Sequence, residues 1–363
     1  MKVAILGTRG IPNQYGGFEQ FAEYVSVGLV EKGCDVTVYN THLHKYNKKK
    51  YRGVKIITKY SPENRIGSAA NFIYDYLCLR DALKKKFDII YEAGYQSVAI
   101  SYLLLPIKRS VIVTNMDGLE WKRSKWNSFV KRLTKKFEGI AVRKSHHLIS
   151  DNEGIRQYFL KEYNKESYLI EYGANPVNNL LPDKTLKKFD IVKRKYFLII
   201  ARLEPENNIE MVLDGYRLSE MTLPFIIIGN VNTPYGAYLK NRYAENKQIR
   251  FIGAVYDKDQ LDILRNSCCY YFHGHSVGGT NPSLLEAMAA QSAIVAHDNP
   301  FNRDVLEENA VYFKDSSCIT TLLKKTENQF YKEMIENNLL KINNYYTWDN
   351  IIKKHITLFN KIV

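Results

Sequence analysis

Short apolar runs alternate with longer amphipathic stretches along most of this chain, and that alternation restricts its fold more than any other feature. Residues 2–6 read as a strand. Phe18, Phe21, Ala22, Val25 and Leu29 then recur at helical spacing, so residues 17–32 form a helix with one apolar face, and 36–39 is the next strand. That is a βαβ unit. Further strands read at 54–57, 88–91, 110–114, 147–150 and 168–171, between helical stretches at 68–86, 127–145 and 153–163. Residues 176–195 lose the periodicity, carry Pro176 and Pro182, and read as a linker. The alternation then restarts, with strands at 196–201, 224–229, 249–253, 268–273 and 293–297 and helices at 207–219, 258–266 and from 281. The pattern predicts an α/β protein with two doubly wound sheets in tandem: domains at 1–175 and 196–345, and a terminal helix at 346–363. That helix is apolar through Trp348, Ile351, Ile352, Ile356 and Phe359, so it packs rather than standing in solvent.

The stretch GTRGIPNQYGGFEQ, residues 7–20, separates the first strand from the first helix. Its glycines, Gly7, Gly10, Gly16 and Gly17, lack the G-x-G-x-x-G spacing of a dinucleotide fingerprint. What remains is a loop carrying Arg9 and Tyr15 at the carboxyl end of a strand, followed by a helix N-terminus. Open α/β sheets bind ligands at such a place.

A second loop, HGHSVGGTNPSLLEAMAAQ at 273–291, is more informative. Gly278, Gly279 and Thr280 supply flexible backbone, Asn281 caps, and Pro282 takes the first helical position. This makes an anion site at a helix N-terminus. Glu286 is surrounded by apolar and small residues; it serves either ribose hydroxyls or the helix dipole. Arg202, at the carboxyl end of the 196–201 strand, either clamps phosphate with its guanidinium or bridges to Glu204 or Glu206. Together these residues describe a metal-free site for a sugar-nucleotide diphosphate. Asp257-Lys-Asp259 opens a helix, where aspartates cap, and neither His273-x-His275 nor His42-x-His44 has a third ligand nearby. His146-His147 reads as structural.

Charge separates the two halves. Residues 1–175 hold 29 Lys and Arg against 17 Asp and Glu, whereas residues 176–363 hold 23 against 21. Basic clusters at Lys48–Lys50, Lys84–Lys86, Lys122-Arg123-Lys125 and Lys131-Arg132-Lys135-Lys136 suit nucleic acid, an anionic membrane or a polyphosphate, or form a solvated surface. Trp121 and Trp126 favour the membrane. A nucleic-acid binder would interleave aromatics on a basic sheet or carry a known module, and neither is found. Five cysteines without C-x-x-C spacing read as reduced thiols. No apolar stretch reaches the ~20 residues of a membrane span, and no signal-peptide core opens the chain. The expected location is the cytoplasm.

The two-domain plan, the Gly16-Gly17 loop, ARLEPENN at 201–208 and GGTNPSLLEAMA at 278–289 resemble the retaining glycosyltransferases of family 4. NMDGLEWKRSKW at 115–126, with YGGFE and HSVGGTNPSLLEAM, is closer to the rhamnosyltransferase-like branch that builds bacterial cell-surface polysaccharide. The resemblance implies the GT-B fold: two Rossmann-like domains facing across a cleft, with the terminal helix returning toward the first. It implies transfer of a hexose or deoxyhexose, rhamnose favoured, from a nucleoside diphosphate sugar to a polyprenyl-diphosphate-linked saccharide, with retention and no metal or cofactor. The enzyme would sit peripherally on the inner face of the plasma membrane. Asp117, where many relatives have His, and Arg202 would be catalytic. Gly16, Gly17, Arg202, Asn207, Gly278, Gly279, Thr280, Asn281 and Glu286 would hold the donor, and Arg9, Tyr15 and Glu120 would face the acceptor. Two positions depart from the family: Asn207 stands where a Lys is usual, and Gly278 where a Glu is usual. A nucleotide-sugar 2-epimerase of the same fold is the nearest rival, but no acid–base pair marks it.

Overall fold

The structure, a computed structural model, describes residues 1–14, 16–116, 118–123, 126–178, 182–325 and 331–363. Two compact units emerge. The first comprises Met1–Lys122, Trp126–Gly173 and Trp348–Val363, and the second Arg123–Lys125 and Ala174–Thr347.

The first unit is built on eight strands: β1 (Lys2–Leu6), β2 (Asp35–Thr41), β3 (Lys50–Tyr51), β4 (Val54–Lys59), β5 (Ile89–Glu92), β6 (Val111–Asn115), β7 (His147–Ser150) and β8 (Tyr168–Leu169). Their order is β3-β4-β2-β1-β5-β6-β7-β8, and all pairs are parallel except β3 with β4. The central strands are apolar on both faces because helices cover both, as parallel sheets require. In β1, Val3, Ala4, Ile5 and Leu6 are all buried.

The terminal helix Trp348–Ile362 belongs to this unit and lies against the helix Gly17–Glu31. Glycines make the contact close. A side chain at Gly28 would put its Cβ 2.1 Å from Ile352 Cδ1, and one at Gly173 would put it 2.5 Å from the Trp348 ring. Trp348 also stacks on Tyr24 at 4.5 Å between ring centroids. The buried face carries His355 and Leu358 as well as Trp348, Ile351, Ile352 and Phe359, while Ile356 is half-buried.

The second unit has six parallel strands: β9 (Phe197–Ile200), β10 (Phe225–Ile228), β11 (Ile249–Gly253), β12 (Tyr270–His273), β13 (Ile294–His297) and β14 (Val311–Phe313), in the order β11-β10-β9-β12-β13-β14. Phe197, Phe225 and Phe272 meet in its core, with ring centroids 5.1–6.1 Å apart. Two doubly wound sheets in tandem are therefore present, as the alternation predicts. Residues 176–195 differ from the linker reading: they group with the second unit and include the helix Pro182–Lys188. Leu186 and Ile191 are buried, and the Arg194 backbone N–H donates to the Ser267 carbonyl at 2.7 Å. No helix among the described residues is long and apolar enough to cross a membrane.

Candidate functional site

In the second sheet the chain steps from β9 through β10 to β11 on one side, then returns to place β12 on the other side of β9. Loops leaving the carboxyl ends of β9 and β12 diverge at this reversal, the place where open parallel sheets bind ligands. They are residues 201–208 and 274–281. Direct hydrogen bonds hold them together: Asn208 Nδ2 donates to the Gly274 carbonyl at 2.7 Å, and the Ser276 N–H and hydroxyl donate to the Glu206 carbonyl at 3.0 and 2.9 Å. Gly274 is obligatory here, because a Cβ would lie 2.0 Å from the Asn207 carbonyl oxygen. Tyr271 and Ser283 clasp the base of the site, their hydroxyls 2.6 Å apart, and Ser283 reaches the Ile200 carbonyl at 3.2 Å.

Arg202 is exposed, and its guanidinium makes no ion pair or hydrogen bond among the described residues. The alternative reading, a bridge to Glu204 or Glu206, is not formed. Glu206 is instead buried, and burial together with a hydrogen bond to Glu204 raises its carboxyl pKa. Across the crevice floor, Gly278 adopts φ 107°, Thr280 is buried, and Asn281 Oδ1 caps the helix Pro282–Ala289 by accepting the Ser283 N–H at 2.9 Å. Pro282 has no N–H and the Leu284 N–H donates to the Asn281 carbonyl at 3.0 Å, so what this turn presents to the site is the positive end of the helix dipole.

Two of the expected residues are bonded within the protein. Asn207, expected on the diphosphate, is turned inward: Nδ2 donates to the Arg202 carbonyl at 2.7 Å and Oδ1 lies 2.8 Å from His275 Nδ1. Its short amide finds two partners within the loops and ties Arg202's backbone to His275. Glu286, read as serving ribose hydroxyls or the helix dipole, has a protein donor: Oε2 accepts from Arg265 Nη2 at 2.5 Å. Arg265 is 2% exposed and also bridges to Asp262 at 3.2 Å. Sequence reasoning missed both Arg265 and the role of His275.

The network sets the histidine protons. Since the Asn207 amide nitrogen donates to Arg202, its oxygen must accept, and His275 carries hydrogen on Nδ1. Burial, with Arg123 and Arg202 nearby, lowers the His275 pKa to about 4; burial, with His275 and His297 nearby, lowers that of His273 to about 3. Both rings are neutral at physiological pH.

This frame has counterparts among known proteins. Residues 1–175 match a domain of unknown function (DUF1972), and residues 183–340 match the glycosyl transferases group 1 family. The O-antigen chain mannosyltransferase RfbU of Salmonella typhimurium is 21% identical over 310 residues, 82% of this chain and 80% of its own. The chain is a transferase enzyme. Among solved structures, sucrose-phosphate synthase from Thermosynechococcus elongatus superposes with TM-score 0.81 at 12% identity over 99% of this chain and 98% of that one. Anabaena Alr3699/HepE, in complex with UDP and glucose, gives 0.75 at 12% identity over 99% of both. The fold of the chain is GT-B.

Gly16, Arg9 and Glu120 lie in the first unit. Gly16, in extended conformation, precedes the helix Gly17–Glu31, whose buried Glu19 accepts the Arg9 backbone N–H at 3.0 Å. Arg9, expected on the acceptor side, gives its guanidinium to Glu63, at 2.5 Å through Nη2 and 3.3 Å through Nε. Glu120 is half-buried in the short turn Glu120–Lys122. Tyr15 and Asp117 lie outside the described residues. Asp257 caps its helix by accepting the Gln260 N–H at 3.0 Å. His42 and His44 bond to the backbone at Ser61 and Pro12, both at 3.0 Å. Among the described residues, no group of three or more His, Cys, Asp or Glu is placed to hold a metal ion.

Proposed function

We propose that this transferase moves a hexose or deoxyhexose, with rhamnose favoured, from a nucleoside diphosphate sugar to a lipid-linked saccharide in cell-surface polysaccharide synthesis. The reaction retains anomeric configuration, needs no metal, and takes place on the inner face of the plasma membrane. The observation that carries the reading is the pairing of Arg202's unpaired guanidinium with the capped N-terminus of Pro282–Ala289 at one sheet reversal. A diphosphate supplies the negative charge that both lack. RfbU's role in O-antigen chains and the UDP and glucose in the HepE complex point to the same substrate class.

In this reading Glu286, positioned by Arg265, accepts hydrogen bonds from the ribose hydroxyls. As the bond from the anomeric carbon to the diphosphate breaks, Arg202 and the N–H groups of Gly279 and Thr280 stabilise the charge on the departing phosphate. The acceptor hydroxyl forms the new bond from the same face and passes its proton to the departing oxygen. Asp117 orients the sugar near the anomeric carbon.

Arg202→Ala tests this. It should lose roughly 2 to 4 kcal/mol of transition-state stabilisation, or about 10² to 10³ in kcat/KM. A thermal-shift panel of UDP, GDP and dTDP identifies the base first, since a ligand at ~100 times its Kd adds about 2.7 kcal/mol of stability. A folded variant retaining more than a third of wild-type kcat/KM would remove Arg202 from the mechanism.

A further inference from the structure

We infer that the face formed by the helices Ala99–Leu104 and Ser128–Lys144 of the first unit docks on an anionic lipid bilayer, with Leu103, Leu104 and Phe129 entering the interface. The inference rests on the proposed transfer reaction only for its purpose, bringing the enzyme to a lipid-linked acceptor. The surface itself stands on four observations.

The two helices pack against each other. Their outward side is apolar where a soluble surface would be polar: Leu103 is 55% exposed, Leu104 65% and Phe129 73%, with Ile100 and Leu133 also exposed. The surroundings are cationic. Between residues 93 and 150 the sequence has eleven Lys and Arg and three acidic residues, Asp117, Glu120 and Glu138. Glu138 contributes nothing to the surface field, because it is fully buried and accepts hydrogen bonds from Trp121, Tyr158, Tyr163 and Lys135. Lys108, Arg109, Arg132, Lys136, Arg143 and Lys144 are exposed.

A partner for this face must accept aliphatic side chains and neutralise several cations together. Single-stranded nucleic acid satisfies the cations but stacks on planar rings, and this face has one exposed ring among the named apolar residues, Phe129, against the aliphatic Ile100, Leu103, Leu104 and Leu133. An anionic bilayer does both: apolar side chains enter the boundary between headgroups and acyl chains, while Lys and Arg meet the headgroups. The structure also reassigns Trp121. Its Nε1 is bound to Glu138 at 3.1 Å, and the Lys135 ammonium sits 5.0 Å from its ring centre, so it braces the helix from beneath instead of anchoring in lipid.

The test uses the full chain with vesicles of phosphatidylcholine alone and of an equimolar mixture with phosphatidylglycerol. Sedimentation should occur with the mixed vesicles and weaken as NaCl rises. The variant Leu103→Ser/Leu104→Ser/Phe129→Ser should lose about tenfold or more in partitioning, yet keep wild-type Tm and the wild-type thermal shift with nucleoside diphosphate. Arg132→Gln/Lys136→Gln should lose binding and leave less salt dependence. Equal binding of the triple-serine variant, equal binding to neutral vesicles, or a wild-type dimer that the serine variant dissolves would overturn the inference, the last by showing a second copy to be the occupant. Stronger binding to short RNA than to mixed vesicles, lost in the serine variant, would overturn it too. Vesicle binding without any nucleoside diphosphate shift leaves the docking face standing and sinks the transfer reading; the converse result does the reverse.

Discussion

Replacing Arg265 by Met should weaken the second unit and the candidate site together. The substitution keeps an unbranched apolar stem and removes a guanidinium that is 2% exposed. Two carboxylates lose a partner: Glu286, at 2.5 Å from Nη2, and Asp262, at 3.2 Å from Nη1. Asp262 retains Lys258, whereas the ion pair to Glu286 is removed outright. Removing one member of a buried pair costs about 3–5 kcal/mol, chiefly because a charge is left in a poor dielectric. The Glu286 side chain is 18% exposed, so water relieves part of this, and the expected loss lies at the lower end, about 3 kcal/mol. Urea denaturation at neutral pH reads it as a lower midpoint at unchanged m. The double variant Arg265→Met/Glu286→Gln removes both charges and should recover at least half of the lost stability. Its nucleoside diphosphate affinity, measured by calorimetry, should stay low, because no carboxylate remains for the ribose. That split separates holding the fold from positioning Glu286. A single-variant loss below about 1 kcal/mol, or a double variant equal to the sum of the singles, would refute the pairing.

Asp75→Asn should change how stability varies with pH. Burial raises the Asp75 pKa to about 7 from 3.8, against a hydrogen bond with Ser97 that lowers it. A carboxyl with a raised folded pKa contributes fully below its unfolded pKa and loses that contribution as pH climbs toward 7, a change of about 4 kcal/mol at most. Urea midpoints at pH 4 and pH 8 should therefore differ less, in the destabilising direction, for the Asn variant; parallel profiles would contradict the assignment. Gly274→Ala should cost about 1–3 kcal/mol, since its Cβ meets the Asn207 backbone oxygen at 2.0 Å and backbone must move to admit it. An unchanged Tm would show that the two site loops are not in contact.

Both sheets were legible because buried parallel strands and covering helices leave periodic marks of different lengths, as in residues 2–6 and 17–32. Val311–Phe313 leaves almost none, being three residues at a sheet edge. Residues 176–195 look aperiodic because isolated contacts hold much of the segment, such as Arg194 Nη1 on the Cys268 carbonyl at 2.7 Å. The Asn281 cap was legible for a related reason, since its acceptor and donor lie two residues apart. Asn207 with His275 and Arg265 with Glu286 are 68 and 21 residues apart. Each residue alone fits several environments, and only the fold brings the partners together.

The two departures from the family pattern are explained better as one change than as two. The resemblance implies Lys where Asn207 stands and Glu where Gly278 stands, a cation and an anion. In this structure Gly278 has φ 107°, which a side chain at that position would adopt only under strain. The loop shape and the missing glutamate thus go together. Asn207 meets His275 just upstream in the same loop, beside Arg202 and Arg123. An ammonium there would be buried beside the Arg202 and Arg123 guanidiniums without a carboxylate at 278. A neutral amide bonded to a neutral imidazole holds the same two loops at no such cost. With both charges absent, Arg202 is the one cation in the segment 201–208, and a donor diphosphate would rest on that side chain and on the backbone of the 278–281 turn.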